Sequence, residues 1–438
     1  MVDYKSKVIT VEEALAKIKS NDVIVTGSTA AEPKMFLENL HTIADRVENV
    51  TITNCLPMAQ CEYFTNPEYL KSFKVTGWFY TPVLRKMHST GRASFIPNHL
   101  HLAATKRIQC QKPTVFMCCA AMPDEDGKIS LGLSNIYEMQ CLEAADLVIL
   151  EINPNCPRLF GDHVVTLDQV DYLIETDYIL PEIADAPSSD KDKVIGKFIA
   201  DLVNDGDCIQ IGIGGIPNAV CAYLADKKDL GVHTEMMTTG IMRLMKAGAV
   251  NNSKKQTHNG KTVACFAGGT HELYEFCNNN PDVLILNGKE CNDPYVIGQN
   301  DNQVSINTTI EIDLTGQCCS ESIGHVQFSG TGGQADTAVG AQNSKNGRSF
   351  IALYSTAMVK NKETGEKEEI SKIVPMLKPG AIVSLSRNDV DFVVTEYGVA
   401  ALRGTTVEER CQKLIEIAHP KFRDELRKQA IEYGYMPG

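Results

Sequence analysis

The chain has 438 residues, a formal charge of −13, 43% hydrophobic residues and 22% charged ones. That apolar share excludes a disordered chain, and the acidic balance argues against a general nucleic-acid or anionic-membrane binder, whose surface would be basic. At about 100–200 residues per domain, the length suits two to three domains, or two large ones.

In chain order, Thr10 with Glu13 three residues later predicts a capped helix, with Ala14, Leu15 and Ile18 on its apolar face. Ser20-Asn21-Asp22 ends it. Val23-Ile24-Val25 reads as a strand leading to Gly27, Pro33 opens a helix, and Val50–Thr53 is the next strand. The stretch Pro181–Lys193 is polar and proline-containing and reads as a domain boundary. The domains expected are therefore 1–186 and 187–438.

The same order of elements then returns. A helix over Val194–Leu202 is followed by a turn at 204–207, the strand Cys208–Ile211, Gly212, a helix opened by Pro217, and a strand over Gly231–Thr234. Five residues separate Asp22 from Gly27, and five separate Asp207 from Gly212. The chain thus reads as α/β, with two related doubly wound open-sheet domains whose ligands sit outside the carboxyl ends of the strands. Val304–Asp313 alternates as a strand does. Asn251–Lys261 and Lys360–Lys372 read as exposed loops or hairpins, and Lys421–Ala430 as a helix.

The fifteen cysteines are odd in number and lack C-x-x-C spacing, which points to buried thiols in a reducing cytoplasm. The first seven residues lack the apolar stretch of a signal peptide, and no run approaches the ~18 apolar residues that span a bilayer.

Three segments have the residue types for chemistry. Gln210-Ile211-Gly212-Ile213-Gly214-Gly215-Ile216-Pro217 is a glycine-rich turn between strand and helix. It is either a tight turn or a loop whose N–H groups bind anionic oxygen. It fails as a dinucleotide fingerprint because Pro217 stands where the third glycine belongs, and no Walker lysine follows. Glu235 lies 21 residues after Gly214, one crossover later, at a strand end where a carboxylate adds little packing. It is either a surface glutamate or a nucleophile beside backbone donors, the minimum set for acyl transfer. The third segment, Phe328-Ser329-Gly330-Thr331-Gly332-Gly333-Gln334, is a mobile or ligand-hugging loop. Upstream of it, Asn307 is either a turn residue or a donor to an oxyanion.

In order and spacing these three segments resemble the coenzyme A transferases of the acetyl-CoA hydrolase/transferase family, nearest to the 4-hydroxybutyrate CoA-transferases and butyryl-CoA:acetate CoA-transferases. The resemblance spans essentially the whole chain. It includes Gly77-Trp78-Phe79, Phe95-Ile96-Pro97, Phe160-Gly161-Asp162, Ser371–Pro375, Ser386–Asp389, Val394–Gly398 and Ala418-His419-Pro420.

The resemblance implies that Glu235 is the catalytic glutamate, forming a covalent glutamyl-CoA thioester in a ping-pong exchange between short-chain acids. Gln210, Ile211, Gly212, Ile213 and Gly214 match a CoA-binding loop. Ile310 and Gly333 match further CoA contacts, Lys360 a basic position at the CoA site, and Asn307 an oxyanion-stabilising amide. More distant relatives follow the glutamate differently, whereas Met236-Met237 follow it here. The same resemblance implies CoA and acyl-CoA as substrates, no permanently bound cofactor, no metal, and a homo-oligomer, dimer or larger. An acyl-CoA thioester hydrolase and a non-catalytic CoA-binding sensor are the alternatives.

His99 and His101 alternate and would share one side of a strand. No carboxylate or cysteine stands near them in sequence, so they read as ordinary polar positions. His419 reads as a packing or capping residue, and Trp78 as core or acyl-pocket lining.

Overall fold

The computed structural model describes residues 4–360 and 364–438. Its first large sheet is wholly parallel, in the order Tyr172–Glu175, Leu147–Ile152, Val115–Ala120, Val23–Thr26, Val50–Asn54, Phe73–Gly77 and Ala93–Phe95. The second has the order Gly231–Val232, Cys208–Ile211, Gln303–Thr308, Arg348–Ala352, Phe392–Thr395 and Gly398–Ala401, and only its last pair is antiparallel. The strand Val115–Ala120 is buried at every position, as expected for a parallel strand covered on both faces. The α/β reading with two related open sheets holds.

Both sheets reverse their order at the first strand of the half. Val23–Thr26 has the next strand in sequence, Val50–Asn54, on one side and the later Val115–Ala120 on the other. Cys208–Ile211 likewise lies between Gly231–Val232 and the later Gln303–Thr308. Such a reversal leaves a crevice at the strands' carboxyl ends, and a glycine follows the central strand in each half. The two glycines differ in use. A Cβ on Gly27 would lie 2.4 Å from the Ala31 carbonyl oxygen and 2.7 Å from Cys118 Cβ, so the backbone there is packed against its neighbours. A Cβ on Gly212 would meet nothing within 4 Å. The first crevice is filled beside its glycine, and the second is open.

The halves interlock. Phe160–Gly161 of the first pairs with Val283–Ile285 of the second, and one apolar core joins Ala30, Cys119 and Leu133 to Ile195, Ile211 and Phe350. Between the two sheets, 176–189 carries no helix or strand.

Several boundaries move from their sequence positions. The Thr10 cap forms as expected, with a reciprocal Glu13 bond. Pro33 stands just before the helix Lys34–Asn39. The helix expected from Val194 starts at Asp190, because Ser189 caps it with Asp192. The helix expected from Pro217 starts at Gly215, which the proline tolerates because first-turn N–H groups have no helical acceptor. The C-terminal helix runs Arg423–Glu432. The alternating stretch 304–313 is two strands in different sheets. The Thr309 N–H donates to Ala352 and the next N–H, of Ile310, to Cys319, so the chain changes partner there and continues as Glu311–Asp313. Thr356–Lys360 and Lys367–Ser371 form a hairpin, with 361–363 outside the described residues.

Of the fifteen cysteines only Cys110 is exposed; the others are buried thiols. Among the described residues no helix is long and apolar enough to cross a membrane.

Candidate active site

Glu235 follows the short strand Gly231–Val232 and precedes Met236–Met237, which pairs with Phe266–Ala267. Its own carbonyl oxygen accepts the N–H groups of Cys265 and Phe266 at 2.9 and 3.2 Å, which fixes the backbone. Its carboxylate lines a cleft of about 300 Å³ at the carboxyl ends of Cys208–Ile211 and Gln303–Thr308, the reversal point of the second sheet. Leu56, Phe79, Met236 and Phe266 form apolar wall, the first two reaching in from the first half of the chain.

The carboxylate is partly exposed and held from two directions. Asn292 Nδ2 donates to its Oε2 at 3.2 Å, and the Gly333 N–H donates to it as well. Gly333 caps the helix Gln334–Asn343, so Glu235 sits at the positive end of a ten-residue helix. The approach is close enough to require glycine. A Cβ on residue 333 would lie 2.0 Å from Glu235 Oε2 and 2.3 Å from Asn292 Nδ2.

Desolvation by the surrounding protein pushes the Glu235 carboxyl up to about 7. The Asn292 and Gly333 donors oppose that rise, while the charge of Asp336 and the Cys291 group add to it. A carboxylate that ionises near neutrality is more basic than an ordinary glutamate and a better nucleophile.

Gln210, Ile211, Gly212, Ile213, Glu235, Asn307 and Gly333 all line this one cleft. Gln210 Oε1 accepts from Ser305 Oγ at 3.0 Å and from the Ile306 N–H at 3.1 Å. Asn307 Nδ2 donates to Ser305 Oγ at 2.9 Å and Thr337 Oγ1 at 3.1 Å, so its amide hydrogens are turned toward interior hydroxyls. Gly214 lies in an adjoining recess with Asn218 and Thr238, at a φ of +116° that favours glycine. Ile310 and Lys360 are not among the cleft's lining residues. Ile310 follows the sheet change, and Lys360 is exposed at the end of its hairpin strand. Trp78 is core, 3% exposed, its ring 4.6 Å from that of Tyr137.

Sequence reading missed Asn292, Leu56 and Phe79 as parts of the site. Asn292 follows a four-residue helix, Gly288–Cys291, and carries no motif. Contrary to expectation, His99 and His101 do have a carboxylate partner. Asp336 lies 3.7 Å from His99 Nδ1 and 2.8 Å from His101 Nδ1. The signal was unreadable because the pair is separated by 235 residues. The first half also grips the glycine loop: the Arg85 guanidinium lies 3.6 Å from the centre of the Phe328 ring, and its Nε donates to the Phe328 carbonyl.

The acetyl-CoA hydrolase/transferase N-terminal domain model matches residues 1–183, and the C-terminal domain model residues 269–430. The chain is 44% identical to succinyl-CoA:cyclohexane-1-carboxylate CoA transferase of Geobacter metallireducens, over 98% of this chain and 96% of the other. It is 41% identical to 4-hydroxybutyrate coenzyme A transferase of Clostridium kluyveri, over 97% of each. Among solved structures, RipA from Yersinia pestis superposes with a TM-score of 0.91 at 34% identity, covering 99% of both chains. With both domain models matched in order and full-length relatives above 40% identity, the chain belongs to the acetyl-CoA hydrolase/transferase family.

Proposed function

We propose that this protein is a CoA-transferase that moves CoA between short-chain carboxylic acids by a ping-pong mechanism through a glutamyl-CoA thioester on Glu235. The observation that carries the reading is a glutamate with a carboxyl pushed up to about 7, held by Asn292 and Gly333 at the mouth of a partly apolar cleft. Family membership supports the reaction class. The acids named for the relatives, among them 4-hydroxybutyrate, cyclohexane-1-carboxylate, succinate, butyrate and acetate, support small carboxylates as the substrate class, and 4-hydroxybutyrate or butyrate with acetate is the pair we favour.

The Glu235 carboxylate attacks the thioester carbonyl of an acyl-CoA. Backbone N–H groups of the 212–215 loop stabilise the oxyanion. The CoA thiolate leaves, and an acyl-glutamyl anhydride remains. The thiolate then attacks the glutamyl carbonyl, which releases the first acid and leaves CoA bound to Glu235 as a thioester. A second carboxylate attacks that thioester, the thiolate leaves again, and its attack on the new acyl carbonyl gives the second acyl-CoA and regenerates the glutamate. The thioester's energy is kept throughout, so the sequence needs no ATP. Binding of the CoA body supplies energy to the reacting centre, and truncated thiols should react poorly.

Apolar wall from Leu56, Phe79, Met236 and Phe266 favours transfer over hydrolysis, since it limits water at the thioester. A CoA sensor would have no use for a desolvated carboxylate. Initial rates with both substrates varied test the reading. Parallel double-reciprocal lines are expected, because the first acid leaves before the second enters. Intersecting lines, free of substrate inhibition, would contradict the covalent route.

A further inference from the structure

Two side chains from opposite halves meet behind the groups that hold Glu235. Asp336 is 2% exposed. His101 Nδ1 lies 2.8 Å from its Oδ1, and the His101 backbone N–H donates to its Oδ2 at 3.1 Å. The His99 ring stacks on that of His101 at 6.0 Å. Asp336 is the third residue of the helix Gln334–Asn343, whose capping Gly333 donates to Glu235. The turn Leu100–Leu102 that carries His101 packs against Gly288–Cys291, the helix that presents Asn292. The pair therefore braces both elements that hold the carboxylate. Neither side chain lines the cleft.

We propose that His101 and Asp336 form a positioning pair between the halves that sets the charge on Glu235: Asp336 opposes ionisation of the glutamate, and protonated His101 cancels that opposition. This inference rests on Glu235 being the nucleophile. The groups facing His101 are Asp336 and Asp293, which favour its protonation, Lys106, which opposes it, and the stacked His99. Burial opposes protonation most strongly, yet the balance with Asp336 holds His101 above the ordinary histidine value. Glu321 faces His99. Glu235 is faced by Asp336 and the Cys291, Cys265 and Cys55 groups. When pH rises through the titration of His101, the Asp336 charge is left uncompensated and Glu235 becomes harder to ionise, so the two titrate as a coupled system.

Single-turnover formation of the glutamyl-CoA adduct, followed across pH with excess acetyl-CoA, tests this. Asp336→Asn should move the acid limb down by about half to one pH unit, the order expected for one nearby charge, and His101→Gln should move it up. The double variant should fall between them. A merely structural role would lower the rate without moving the limb, or move it the same way in both variants, and either result would overturn the proposal. A reciprocal measurement covers variants that fail to fold. By linkage, Glu235→Gln must lower the pH at which the His101 ring titrates by NMR, and an unchanged titration would overturn the coupling. Absence of any adduct in the wild-type protein would instead refute the nucleophile, while the NMR arm still reports on the pair.

Discussion

A glutamate that ionises near 7 instead of at its ordinary 4.5 works against the fold. Below about 4.5 the carboxyl is protonated in both folded and unfolded chains and has no differential effect. As pH rises from there the unfolded chain ionises first, so stability falls until about 7 and the loss is constant above it. Glu235→Gln removes that charge while keeping the shape. It should abolish transfer and, above pH 7, stabilise the protein by about 1–3 kcal/mol, with no gain near pH 4. Thermal melts at both pH values check the sign. On the proposed mechanism the same ionisation should give the reaction an acid limb near 7, since only the carboxylate form would attack the thioester. A half-reaction rate that stays flat from pH 8 to pH 5 would contradict the environment assigned to Glu235. Gly333→Val should stop turnover, because its Cβ would occupy the space of Glu235 Oε2, only 2.0 Å away.

At the scale of elements, the two glycine turns make opposite uses of one topology. Gly212→Ala adds a methyl group where no protein atom lies within 4 Å, so stability should change by less than about 0.5 kcal/mol while the KM for acyl-CoA rises. Gly27→Ala forces a Cβ into Ala31 and Cys118 and should destabilise without a specific effect on KM. Denaturant curves beside initial rates separate the two. The strands Cys208–Ile211 and Val23–Thr26 were legible because short apolar runs end at turn residues, and their spacing exposed the repeat. Glu235 was legible as a carboxylate at a strand end, one crossover after the glycine turn. Alternation over 304–313 misled, because period two is the same whether a strand stays in its sheet or leaves it. Asn292 was invisible, since nothing local distinguishes it from a turn residue.

Across the whole molecule, the cleft is complete only when the halves meet. Leu56 and Phe79 close it from one side, Arg85 grips Phe328 of the glycine loop, and His101 reaches Asp336. None of these long-range pairings leaves a mark on local sequence, because the partners lie far apart in the chain, by 235 residues for His101 and Asp336. Arg85→Ala gives up a cation–π contact and a hydrogen bond that hold the loop against the first half. It should raise the KM for acyl-CoA by about threefold to tenfold while the fold persists. An unchanged KM would mean that the loop holds its place without the first half.

Mass spectrometry can detect the proposed covalent bond between CoA and Glu235. The protein is incubated with acetyl-CoA alone, the thioester is reduced with borohydride, and the peptide containing residue 235 is sequenced. Reduction of the Glu235 side chain to an alcohol, absent without acetyl-CoA and absent in Glu235→Gln, is the predicted result. An unmodified Glu235 in protein that is turning over substrate, or a modification at another residue, would contradict it.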